Sequence, residues 1–262
     1  MSHLALPPPA KNGFSLVELS IVLVILGLLV GGVLSGQSLI RAAELRAVTG
    51  EYARYITSVQ TFRDKYFAIP GDMANATRFW GKDDTNCTGD TGTNATPGTC
   101  NGNADGIMTF AGGNGDNREI RRFWQHLALA GLIEGSYNGP HTGIGVLGVN
   151  QPKSRLSNAG WATAYTPPNF PGDESAYAVN YGNFFRFGTQ KAGSSGADGP
   201  VLKPEEVWNI DTKMDDGKPA YGNLIAVYWD DCTLAESRTD LDKAYQLTET
   251  GNKCTFYVRN IF

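Results

Sequence analysis

Apolar and small residues run from Phe14 to about Ser35, broken only by the acid Glu18 and the hydroxyls of Ser15 and Ser20. A helix of that length can cross a hydrocarbon core of about 30 Å. Beyond it the pattern changes. Leu45, Val48, Tyr52, Tyr55, Ile56, Val59, Phe62 and Tyr66 recur at three- and four-residue steps, the stripe of a helix with one buried face. No proline interrupts before Pro70, and Pro70-Gly71 is a stop signal. The two stretches predict one helix from Phe14 to about Tyr66, on the order of 80 Å long.

A secretory signal peptide is the usual reading of an apolar N-terminal run. This run is long for one, contains an acid, and is followed by the amphipathic helix rather than by an A-x-A-like cleavage site. Glu18 is costly in lipid unless it is paired. No Lys or Arg lies between Gly13 and Arg41. Cleavage after Gly13 would create a cation, because the new α-amino group of Phe14 is positive near neutral pH. Gly27, Gly31, Gly32 and Gly36 include small-xxx-small spacings that allow close helix approach in lipid.

After Pro70 the pattern is that of a turn-rich body. The segment DNREIRRFWQHLALAGLIEG, residues 116–135, predicts a helix capped by Asp116 or Asn117 with Glu119 in its first turn, burying Ile120, Phe123, Trp124, Leu127 and Leu132 and leaving His126 on a polar surface. Residues 139–175, punctuated by Gly and Pro, predict irregular chain with short strands at most. Tyr177, Val179 and Tyr181 alternate as a strand, and Gly182-Asn183 predicts a hairpin turn into a second one. Pro204 opens a short helix with Glu205 and Glu206 in its first turn and Val207, Ile210 and Met214 as its stripe. The segments NLIAVYW and CTFYVRNIF are the last strands. The fold class is α+β, a long N-terminal helix packed on a loop-rich domain with antiparallel strands.

The formal charge of −4 offers no footprint for nucleic acid, so none is expected as a partner. With 32 glycines the body suits turns, and with three histidines it has little material for a His-centred site. Cys87 and Cys100 flank a long polar loop, and Cys232 and Cys254 lie near the C-terminus. In an oxidising compartment, disulfides between sequence neighbours are expected, although four cysteines allow three connectivities. A zinc site of all four is the alternative, but the spacings contain no C-x-x-C.

Asn101, Asn103 and Asp105 stand at i, i+2 and i+4 with Gly106 next, an oxygen spacing that makes them a candidate calcium set. The EF-hand's bidentate acid would fall at Gly112, which cannot ligate, and Glu119 reaches back only if the chain folds over. An Asn/Gly turn held by side-chain-to-backbone bonds is the competing reading. Asp211, Asp215 and Asp216 form another acidic group, read as the solvated end of a helix. Nucleophile-elbow, P-loop, Rossmann and H-E-x-x-H patterns are absent, so no catalytic residues are assigned and no enzyme is expected.

Lys11, Gly13, Phe14, Ser15, Leu16, Val17 and Glu18, followed by LSIVLVILGLL, resemble the N-terminus of type IV pilins and type II secretion pseudopilins. The resemblance is specific over residues 11–29 and fades along the helix. It implies that a prepilin peptidase removes residues 1–13 as a leader by cutting after Gly13 and methylates Phe14. It assigns Glu18 to filament assembly. It also implies residues 14–36 as a transmembrane half-helix, 37–69 as an amphipathic half-helix and 70–262 as a periplasmic or extracellular domain. The implied partners are the peptidase, other pilin-like subunits in a helical filament, an inner-membrane assembly platform and membrane lipid. The implied location is the bacterial inner membrane, single-pass, and then a periplasmic or cell-surface filament. A minor, tip-located subunit for adhesion or substrate recognition is the alternative, and a membrane-anchored periplasmic enzyme a remote one. Many members carry a helix-bending proline where this chain has Ser35. The helix is therefore expected to be straighter, or to loosen at the nearby glycines.

Overall fold

The computed structural model describes residues 13, 15–83, 85–87, 91–108, 119–139, 145–166, 175–191 and 196–262. The chain divides into two compact units, Met1–Ala43 and Glu44–Phe262.

Helix α1 (Leu16–Tyr66) has 51 residues and continues through Gly27, Gly31, Gly32, Ser35 and Gly36 without a break. In the first unit its apolar side chains are exposed all round. From Glu44 onward one stripe is buried, with Val48, Tyr55, Val59 and Phe62 at its centre and Leu45, Tyr52, Ile56 and Tyr66 packed at its margins. The change from an all-apolar surface to a single stripe is thus the change from an unpartnered helix to a core helix.

The remaining elements are α2 (Thr77–Trp80), α3 (Glu119–Leu129), β1 (Ala159–Thr166), β2 (Gly182–Gln190), β3 (Ala197–Gly199), α4 (Pro204–Met214), β4 (Leu224–Val227), α5 (Trp229–Cys232) and β5 (Thr255–Arg259). The strands form one antiparallel sheet in the order β1-β2-β5-β4, with β3 on the end of β2. Side-chain alternation gives it two buried faces. Trp161, Phe185, Phe187, Phe256, Val258, Leu224 and Ala226 join the core shared with α1 and α3. Phe184, Tyr257, Ile225 and Val227 point the other way, into a second cluster with Tyr177 and Tyr181. Arg186 lies on that second side, its guanidinium 5.3 Å from the Phe184 ring centre and 3.3 Å from Asp198.

Three sequence expectations fail here. Residues 159–166 form β1, the longest partner of β2, where irregular chain was expected. Alanines and threonines in AGWATAYT hide a strand whose identity comes from cross-strand pairing rather than from its own alternation. Gly182-Asn183 begins β2 instead of turning a hairpin, and β2 pairs with the upstream β1. Tyr177, Val179 and Tyr181 run into β2 as irregular chain instead of forming a strand of their own, whereas Val207, Ile210 and Met214 all pack on the core as their spacing suggests. The expected caps of α3, Asp116 and Asn117, lie outside the described residues.

Two disulfides fasten the body, Cys87–Cys100 and Cys232–Cys254. The second links α5 to the residue preceding β5.

Candidate functional site

Gly13 is exposed, and Lys11 and Phe14 lie outside the described residues. The α1 N-terminus is closed by its own side chains. The Ser15 N–H donates to Glu18 Oε2 at 2.8 Å, and Ser15 Oγ accepts from the Val17 N–H at 3.3 Å. Ser15 thus caps the helix through the N–H of its second residue while Glu18 accepts the N–H of Ser15 itself, satisfying two backbone donors that the first turn leaves over. The S-x-x-E spacing of Ser15 and Glu18 is the sequence signal for this cap. Among the described residues the Glu18 carboxylate accepts from the Ser15 N–H, on the second residue after the expected cut.

From Leu16 to Leu34 the helix offers only exposed side chains, with Leu16 at 84% and Leu28 at 73%. It is the one helix among the described residues long and apolar enough to cross a membrane. A Cβ built on Gly27, Gly31, Gly32 or Gly36 would meet nothing within 4 Å, so no contact among the described residues requires glycine there.

A second group of candidate residues sits where α1 ends. Gly71 has φ +86°, and its N–H donates to His126 Nδ1 at 2.9 Å. His126 is wholly buried, contrary to the surface position expected for it, and its Nε2 faces Thr99 Oγ1 at 2.9 Å. With Nδ1 accepting, Nε2 carries the proton. Burial, and then the neighbouring Arg122, push its pKa down to about 3. Arg122, also buried, donates to Gln125 Oε1 at 2.8 Å and reaches Asp83 at 3.6 Å. The sequence pattern assigned α3 one apolar face. Its polar side is buried as well, because the disulfide loop and the Pro70–Asp72 turn cover it.

The candidate calcium set does not assemble as its spacing suggested. Asn101 Oδ1 accepts from the Thr77 N–H at 2.9 Å, and Asn103 Oδ1 from the Asp105 N–H at 3.0 Å. Asp105 stands instead with Asp72 and Glu119, each offering a carboxylate oxygen, all within 4.8 Å of one another. Asp72 came from outside the motif and Glu119 from the start of α3, and only the folding-over of the chain joins them. Burial raises the Asp72 pKa, opposed by the N–H groups of Gly106 and Ala104. The other acidic group, Asp211, Asp215 and Asp216, also assembles. There Asp211 is buried and accepts from Tyr245 Oη at 2.7 Å, and burial pushes its pKa up to about 7.

Chain order and side chains together define a protein with a membrane-length, all-apolar N-terminal helix, capped by its own acid, ahead of a disulfide-bonded α+β body. Residues 9–34 match the family model described as the prokaryotic N-terminal methylation motif, the signature of type IV pilins and pseudopilins. The comparison with curated proteins and that with solved structures give no match. The motif points to a structural subunit rather than an enzyme, and it implies processing by a prepilin peptidase and assembly with other pilin-like subunits.

Proposed function

We propose that the protein is a subunit that polymerises through its N-terminal helix into a type IV pilus or type II secretion pseudopilus. The observation that carries this reading is the exposed apolar surface of Leu16–Leu34, which lies within the residues that match the methylation motif. Before assembly lipid covers that surface, and the body lies on the periplasmic side of the inner membrane. The peptidase cuts after Gly13 and methylates Phe14. An assembly platform then extracts the subunit, and burial of the helix among its neighbours replaces the lipid contacts.

Cutting converts the Phe14 nitrogen from an amide to a cation, and the Glu18 carboxylate is already turned toward the helix start, onto the Ser15 N–H. Glu18 is then available to the amine of an axially staggered neighbour, and the pair sets the register of the filament. The open glycine positions suit close helix approach within it.

Mass spectrometry of the mature N-terminus tests the reading. A start at N-methyl-Phe14 is expected, and a start at Met1 or beyond residue 36 refutes it. Filaments at normal yield from Glu18→Ala would refute the role of Glu18 separately.

A further inference from the structure

We infer that Asp72, Asp105 and Glu119 form a calcium site that braces the body where α1 ends. The inference is independent of filament assembly and stands on the geometry of the three carboxylates.

Calcium binds hard oxygen ligands at about 2.3–2.6 Å, so two ligands on opposite sides of one ion are at most about 5 Å apart. The ligand oxygens of Asp72, Asp105 and Glu119 all lie within 4.8 Å of one another, inside that span. A second observation points to a ligand. Asp72 is only 3% exposed, and its Oδ1 is buried with no hydrogen-bond partner among the described residues, while its Oδ2 accepts the Gly106 N–H at 2.9 Å. A buried carboxylate oxygen left without a donor costs free energy that a cation would recover.

The surrounding backbone holds the three groups in place. The Ala104 N–H donates to the Asp72 carbonyl at 3.1 Å, and the Asn103 N–H donates to Glu119 Oε1 at 3.2 Å. Asp105 is held over the site by its own turn, with Oδ1 accepting from the Ile107 N–H at 2.8 Å and Oδ2 from Asn103 Nδ2 at 2.8 Å. Gly102 passes so close to Asp72 that an added Cβ would fall 2.4 Å from its backbone. The loop after Cys100 is thereby pressed against the Pro70–Asp72 turn. Three segments distant in sequence meet at the site: the turn after α1, the loop after Cys100 and the first residue of α3. Three carboxylates supply between three and six oxygens, and water completes the shell, as in modules that bind calcium at about 10⁻⁴–10⁻³ M outside the cell. An ion there ties the two segments to the end of α1, and the brace is set only where calcium is plentiful.

The test uses the full chain in detergent, stripped with a chelator and passed over a metal-free resin. Thermal unfolding is then followed with and without calcium chloride. At about a hundredfold excess over the dissociation constant, calcium is expected to raise the wild-type midpoint by about 5 °C or more. Asp72→Asn and Asp105→Asn are expected to lose that rise, while Asp211→Asn, at the other acidic group, keeps it. Asp105 is exposed, so Asp105→Asn decides the matter if Asp72→Asn fails to fold. No rise in the wild type overturns the site. So does a rise that survives Asp105→Asn, or one lost in Asp211→Asn alone.

Discussion

Glu51 is an acid on the buried stripe of α1, and removing its charge is expected to loosen the body from the helix. It is 5% exposed and holds two donors from the sheet region, the Trp161 Nε1–H at 2.8 Å and the Arg155 N–H at 2.8 Å. A hydrogen bond to a charged group contributes about 1.5–3 kcal/mol. Glu51→Gln preserves volume but leaves one acceptor oxygen for two donors and turns an NH₂ toward the second. One bond is lost and one buried donor is stranded, a cost of about 2–4 kcal/mol. Glu51→Ala strands both donors and opens a cavity, for about 3–5 kcal/mol. At about 2–4 °C per kcal/mol, the Gln variant should melt at least about 4 °C lower. Tryptophan fluorescence during thermal or urea unfolding of the full chain in detergent measures this. A double-mutant cycle with Trp161→Phe should show a coupling of about 1 kcal/mol or more. If Glu51→Gln unfolds within about 0.5 kcal/mol of wild type, the premise that the anion holds both donors is wrong.

His126 makes stability fall in acid. Its folded pKa of about 3 lies below the unfolded value of about 6.5, so between them the unfolded chain binds the extra proton; the contribution is complete above pH 6.5 and declines by about 1.4 kcal/mol per pH unit below it. His126→Asn should show a shallower loss than wild type from pH 6 to pH 4, and parallel curves would contradict this assignment. Asp211, raised to about 7, has the opposite sign: its contribution is complete below the unfolded pKa and lost as pH rises through about 7, so the gap between wild type and Asp211→Asn should narrow over that window. Opening the Cys87–Cys100 bridge with paired serines should cost about 3 kcal/mol from the loop it closes, read as a lower urea midpoint. Gly71→Ala would place a Cβ 2.3 Å from the Glu119 carbonyl at a φ of +86°, so the variant should lose at least about 3 kcal/mol or fail to accumulate; wild-type stability would show that the turn can shift.

Much of the chain up to Gly71 was determined by residue order alone. The apolar run, the acid at Glu18 and the stop at Pro70-Gly71 specify a long helix, because helix periodicity and membrane length are local properties of consecutive residues. The S-x-x-E cap was equally local. Helices α3 and α4 and strands β4 and β5 were legible for the same reason. What only the tertiary structure decided is everything that depends on which distant segments meet. β1 is a strand because β2 lies beside it, although its own residues alternate weakly. His126 is buried because the disulfide loop covers a face of α3 that reads as polar along the chain. Glu51 looks like a surface acid on a helix and is a core acceptor, because Trp161, more than a hundred residues later, brings its N–H there. The oxygens at Asn101 and Asn103 seemed to define a metal loop, yet backbone donors claim them. Asp105 found its fellow carboxylates at Asp72 and Glu119. Spacing reports neighbours along the chain, whereas ligand sets and buried polar pairs are selected by the folded surface that closes over them.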